Sequence, residues 1–116
     1  MHEEELLQTL CVNWFKCKYP TMAGVLVHVP NERKCSPQRG AMLRGMGVRS
    51  GVADLILFVA RHGWHGLHLE MKTTKGKQTD TQKEWAADVE REGYKYVVCR
   101  SLDDFQREMN DYLCTE

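Results

Sequence analysis

"GVADLILFVARHGWHGLHLEMKTTKG", residues 51 to 76, decides how this chain is read. Ala53 to Ala60 is an apolar run interrupted only by Asp54, and a second run ends in Glu70-Met71-Lys72. The first run is apolar on both faces, which predicts a buried central strand. "RHGWHG" turns the chain, and "LHLEMK" returns with strict alternation. Leu67, Leu69 and Met71 face one way, and His68, Glu70 and Lys72 the other. If the two strands pair as a hairpin, the start of one lies beside the end of the other. Asp54 and Glu70 then meet at one sheet edge, with Lys72 two residues past Glu70 on the same face.

Charges on strands of this kind are seldom there for stability. Two carboxylates in a small volume repel each other unless a cation lies between them. A hard divalent ion, Mg²⁺ or Mn²⁺, suits such oxygen donors and keeps places for water and a phosphate. That is the arrangement of metal-dependent phosphodiester hydrolysis, with Lys72 orienting or deprotonating the water or neutralising developing charge. The plainer alternative is a structural Glu70–Lys72 ion pair with Asp54 capping a turn. Glu-x-Lys by itself is common on exposed strands. With an aspartate upstream on an apolar strand it is more specific.

Outward from this hairpin the elements fall into place. "EEELLQTLCVNWF" sets Leu6, Leu7, Leu10, Cys11, Trp14 and Phe15 at helical spacing behind an acidic first turn. "GVLVHVP" reads as a strand ended by Pro30, and Pro37 to Met46 as a short helix begun by proline. "TQKEWAADVEREG" predicts a helix with Gln82, Trp85, Ala86 and Val89 on one face and Gly93 as its C-cap. "YKYVVCR" is a strand, and "SLDDFQREMNDYL" a helix capped by Ser101, with Leu102, Phe105, Met109, Tyr112 and Leu113 along one stripe. The order α-β-(α)-β-β-α-β-α predicts an α/β fold, a mixed sheet flanked by helices.

Residues 1–116 are read as one domain, long enough for a hydrophobic core without staples. No apolar stretch is long enough to span a bilayer, and the acidic start is unlike a signal peptide, so a cytoplasmic protein without a membrane partner is expected. Five cysteines without a CxxC pair argue against a disulfide framework or a zinc ribbon, and most are expected in or near the core. Net charge is zero but unevenly spread: residues 31 to 83 carry ten Lys/Arg against four Asp/Glu, and residues 84 to 116 four against nine. A basic middle can offer an anion-binding face despite the zero total. Arg33, Lys34, Arg39, Arg44, Arg49, Lys75 and Lys77 are its expected phosphate-tracking residues, which give affinity more than sequence choice.

Taken in order, these motifs resemble the VRR-NUC family, the small virus-type replication and repair nuclease domain of the PD-(D/E)xK superfamily. "EEELLQ" resembles the family's opening helix, "VPNE" its asparagine-bearing strand end, and "GVRSGVADLIL" its glycine-x-proline-Asp-Leu segment, with Ala53 at the proline position. "LEMKTTKGKQTDTQKEWAADVEREGYKYVVCRS" resembles its stretch from Glu-x-Lys to the final strand. The resemblance implies a restriction-endonuclease-like mixed sheet. It also implies metal ligation by Asp54, Glu70 and the backbone carbonyl of Met71, with Lys72 as catalytic lysine and Gln82 supporting the site. A first-helix glutamate joins the metal or water shell; Glu4 fits best, with Glu3 and Glu5 as alternatives. Standalone members resemble junction-resolving enzymes, which implies a structure-selective DNA endonuclease with Mg²⁺ or Mn²⁺. Its substrate would be four-way (Holliday) junctions or other branched DNA in repair. Symmetric cutting needs two active sites, so a homodimer is expected. A bacterial cell or phage-infected host suits so small a domain.

Two other readings compete. One is a non-catalytic nucleic-acid-binding module whose acidic pair is structural. The other is a domain organised by zinc on His62, His65 and His68, an HxxHxxH run, but Gly63 and Gly66 break a helix there and a hairpin scatters the rings.

Overall fold

A computed structural model describes residues 3–30 and 35–115. The chain forms α1 (Glu3–Lys18), β1 (Leu26–His28), α2 (Pro37–Gly45), β2 (Leu55–Leu57), β3 (Leu67–Met71), α3 (Asp80–Arg91), β4 (Lys95–Cys99) and α4 (Leu102–Leu113). A 3-10 segment, Pro20–Val25, lies between α1 and β1. It takes Gly24 and Val25 out of the expected strand, because Pro20 opens a helical turn that runs on to Val25.

The four strands make one mixed sheet in the order β1-β2-β3-β4. β1–β2 and β2–β3 are antiparallel, and β3–β4 is parallel, as a crossover through α3 allows. The hairpin of residues 51–76 is therefore real, with Leu55 opposite Leu69 and Leu57 opposite Leu67. β3 is buried along its whole length, since it has a strand on either side and helices on both faces.

Leu55, Leu57, Leu67, Leu69, Met71 and Cys99 pack on one face against Cys11 and Phe15 of α1 and Phe105, Met109, Tyr112 and Leu113 of α4. Each buried side chain there contributes about 1.5–3 kcal/mol relative to exposure. The α4 stripe is the one its spacing predicted. On α1 the stripe is narrower, because Leu6 and Leu10 lie about half exposed. At 100° per residue they rotate away from the line of Leu7, Cys11 and Phe15, which with Val12 and Trp14 beside it meets the core. α3 covers the opposite face with Trp85, Ala86 and Val89 over the His68 side of β3 and β4. Phe58 lies beyond this cover and is 57% exposed, so the first apolar run is not buried on both faces throughout.

Cys11 and Cys99 are core residues, and burial pushes both thiols up to about 12. Cys17, Cys35 and Cys114 are exposed free thiols, so two cysteines of the five, rather than most, serve the core. No helix among the described residues is long and apolar enough to cross a membrane.

Candidate active site

Asp54 immediately precedes β2, and its carboxylate Oδ2 accepts the Met71 amide at 2.8 Å. β2 ends its pairing at Leu55, so the Asp54 side chain replaces the next rung of the ladder. The Lys72 amide bonds Cys99 on β4 at 3.0 Å. Backbone groups alternate sides along a strand, so the Met71 peptide groups point the other way, toward Asp54.

Glu70 is opposite Asp54 in this register and only 2% exposed. The Asp54 carboxyl is within its hydrogen-bonding reach. Burial above all, and then the negative charge of Asp54, pushes the Glu70 carboxyl up to about 8, while the charge of Lys72 works the other way. Lys72 is itself buried, on the same face as Glu70. The turn after it is held by Arg100, whose Nη1 donates to the carbonyls of Thr73 (2.9 Å) and Gly76 (2.6 Å).

Gln82 performs two tasks at once. Thr79 caps α3 and accepts from the Gln82 amide at 3.2 Å, while Gln82 Oε1 accepts from the Thr79 amide at 2.8 Å. That capping box fixes which end of the side-chain amide faces inward. Nε2 is left to donate to Glu70 Oε2 at 3.0 Å. Gly51 locks the Asp54 loop onto the same helix end: at φ +87°, a Cβ there would sit 2.4 Å from the Thr81 carbonyl.

Sequence reasoning missed three contributors. Tyr96 on β4 directs its hydroxyl to Glu70 Oε1 at 3.3 Å, Arg100 anchors the lysine turn, and His28 approaches the Asp54 carbonyl with Nδ1 at 2.9 Å. The glutamine of "EEELLQ", Gln8, reaches His28 Nδ1 at 2.9 Å and so ties α1 to the Asp54 end of the sheet. Alternation along β4, once aligned with β3, was the available signal for Tyr96. Glu4 is half-buried one turn before Gln8, and among the described residues it makes no hydrogen bond to Asp54 or Glu70.

The histidines are scattered. His68 is buried under α3, accepts from Trp85 Nε1 through Nδ1 at 3.2 Å, and is pushed down to about 4 by burial, so it is neutral. His65 stacks edge-on against Tyr94, and His62 faces Tyr112. Among the described residues no three His, Cys, Asp or Glu converge on one point, so the donors here are the two carboxylates and neighbouring peptide oxygen. That oxygen-only set, with its electrostatically opposed pair, is of the kind a hard divalent ion takes.

Of the expected basic surface, Arg39 and Arg44 lie exposed on α2, and Lys75 and Lys77 are exposed on the turn after Lys72. Arg33 and Lys34 fall outside the described residues. Arg49 is engaged by α3, with Nη2 on Asp88 Oδ2 at 2.6 Å and its guanidinium 5.0 Å from the Trp85 ring centre. That arginine holds the Asp88 carboxyl below the usual range, with Arg91 helping.

A mixed sheet carrying an acidic pair and a lysine at the edge of its central hairpin defines an α/β domain of nuclease type. The VRR-NUC domain family matches residues 2–103, and the chain belongs to that family. A solved structure described as a VRR_NUC domain protein superposes with a TM-score of 0.84 at 29% sequence identity, covering 97% of this chain and 89% of that one. No curated protein sequence matches. Family membership implies a nuclease function and therefore DNA as the partner.

Proposed function

We propose that the chain is a Mg²⁺- or Mn²⁺-dependent endonuclease that hydrolyses phosphodiester bonds in branched DNA, four-way junctions foremost, as a homodimer. The observation that carries the reading is the convergence of Asp54 and Glu70 beside a buried Lys72. Setting a buried carboxyl against a half-buried one without a cation is costly, and stability alone gives no reason to keep the pair. Asp54, Glu70 and the Met71 carbonyl would hold the ion. When bound, the ion would acidify a water and stabilise charge on the scissile phosphate. Lys72, fixed by β3 and by the turn that Arg100 anchors, would orient the attacking water and offset charge on the phosphate oxygens. Gln82 holds Glu70 at one oxygen through a neutral donor, which adds no positive charge where a cation would sit. Glu4, half-buried on α1, would contribute to the metal or water shell.

Lys75, Lys77, Arg39 and Arg44 would track the DNA backbone, with Arg33 and Lys34 between β1 and α2. Contacts of this kind read shape rather than base order, which favours structure-selective cutting. One chain supplies one such site, so paired symmetric cuts require two copies.

The test is cleavage of matched four-way, flap and linear duplex DNA with Mg²⁺, Mn²⁺ or EDTA, wild type beside Lys72→Ala. Metal-dependent cutting strongest on the junction, reduced by about 10²–10⁴ in the variant, is expected. Sedimentation analysis should give twice the chain mass. No cutting of any substrate with either metal, despite salt-sensitive DNA binding, would leave a binding module.

A further inference from the structure

Tyr96 occupies a place that core packing alone does not explain. It lies on β4 level with His68, on the sheet face that carries Glu70. Its hydroxyl stands between two groups, accepting from Gln78 Nε2 at 3.1 Å and lying 3.3 Å from Glu70 Oε1. A phenol has one proton to give. With Gln78 supplying a donor to the oxygen, that proton goes to Glu70. Reversing the Gln78 amide would turn the phenol proton toward Gln78 and set a lone pair against a carboxylate, which is the worse arrangement.

Glu70 is then held at both oxygens by neutral donors from different elements, Gln82 Nε2 on Oε2 and Tyr96 on Oε1. Neither donor brings a positive charge that would compete with a cation. Each uses one lone-pair direction, which leaves the others for a cation, and the Asp54 carboxyl lies within hydrogen-bonding reach of the same group. A carboxylate free to turn about its last bond would present those lone pairs poorly. One fixed at both ends presents them in one orientation.

We propose that Tyr96, supported by Gln78, is a positioning residue that aims the Glu70 carboxylate at the metal position of this nuclease; the proposal rests on the metal-dependent reading above. Gln78 lies in the turn that follows Lys72, so the same contact couples the lysine turn to the acid. Partners that orient a metal-binding carboxylate are commonly worth ten- to a hundredfold in metal affinity or activity.

The experiment is calorimetric titration of Mn²⁺ into the DNA-free protein, together with the Mn²⁺ dependence of junction cleavage. Wild type, Tyr96→Phe and Gln78→Ala are compared, with DNA binding in EDTA and thermal unfolding as controls. Tyr96→Phe should weaken Mn²⁺ binding about tenfold or more and raise the Mn²⁺ needed for half-maximal cleavage in proportion. DNA binding in EDTA should stay unchanged. Gln78→Ala should shift the same quantities by a smaller factor, and it carries the test if the Phe variant does not fold. Mn²⁺ binding and half-saturation equal to wild type in both variants would overturn the role of Tyr96 while leaving the nuclease intact. A wild-type protein that neither binds Mn²⁺ nor cuts would overturn both.

Discussion

Replacing Glu70 with Gln should stabilise the metal-free protein at alkaline pH and leave it unchanged in acid. The Glu70 carboxyl titrates near 8 in the fold, against 4.5 in an unperturbed glutamate, because it is buried and faces Asp54. Between those values the folded chain holds a proton that the unfolded chain has released. Stability is therefore greatest below 4.5 and declines as pH rises toward 8, by up to about 1.4 kcal/mol per pH unit. Water access from the open sheet edge and relaxation around the pair bring the total to about 1–3 kcal/mol. The Gln82 contact survives the substitution, because a glutamine at position 70 still offers an oxygen to Nε2. Above pH 8 the variant should melt about 4–12 °C higher than wild type in EDTA, and the two should coincide near pH 4. Thermal unfolding by circular dichroism from pH 4 to 9 reads this directly. Adding Mn²⁺ above pH 7 should raise the wild-type midpoint more than the variant's, since a ligand stabilises whatever it binds. Parallel pH profiles for the two proteins in EDTA would refute the claim that Glu70 is electrostatically opposed in the fold.

Gln82→Glu should keep the capping box but bring a second acid to Glu70, so its cleavage falls while its alkaline stability drops below that of wild type; Gln82→Ala keeps the Thr79 cap on its backbone amide but loses the reciprocal bond from the Thr79 amide, and should be less stable at every pH by about 1 kcal/mol. His68 is held neutral by burial, and its pKa falls from 6.5 to about 4, so it removes stability as pH drops through that window. His68→Gln, which keeps an acceptor for Trp85, should flatten the acid limb of the denaturation curve. Gly51→Ala forces a Cβ against the Thr81 carbonyl at positive φ and should cost about 2–4 kcal/mol in urea unfolding. Arg100→Gln releases the Thr73 and Gly76 carbonyls and should raise the KM for DNA more than it lowers kcat.

What the sequence disclosed depended on how local the governing physics was. Alternation in "LHLEMK" placed Glu70 and Lys72 on one face without reference to any other segment, and the short turn fixed the partner strand. Adjacency of Asp54 and Glu70 followed from that hairpin alone. Tyr96 stayed hidden because β4 pairs in parallel with β3 across a whole helix, and no turn sets that register. Gln82 was found only through family resemblance, for a helix face at 3.6 residues per turn does not say which sheet residue lies below it. Phe58 was misplaced for a related reason: an apolar strand shows that its faces suit burial, not how far the covering helix extends. Nothing local to Gly51 marks it as a packing residue; that role shows only in the fold, where a Cβ at this position would sit 2.4 Å from the Thr81 carbonyl.

The same locality bears on how such a site is kept. The donors that touch Glu70 directly, Gln82 and Tyr96, are neutral. A cationic partner in contact would settle the pair and stabilise the free protein, but it would also occupy the position a divalent ion needs. Neutral donors fix geometry and leave the electrostatic conflict unresolved, so differential affinity for a cation remains large. Lys72 acts on Glu70 through space instead, lowering its pKa less than burial and Asp54 raise it. Were Lys72 the principal counter-ion of Glu70, Lys72→Met would drive the Glu70 carboxyl far above 8 and shift the alkaline decline of stability upward by more than a pH unit. With burial and Asp54 dominant, that decline in EDTA should move by less than a pH unit, and pH-dependent unfolding of the single variant decides between the two.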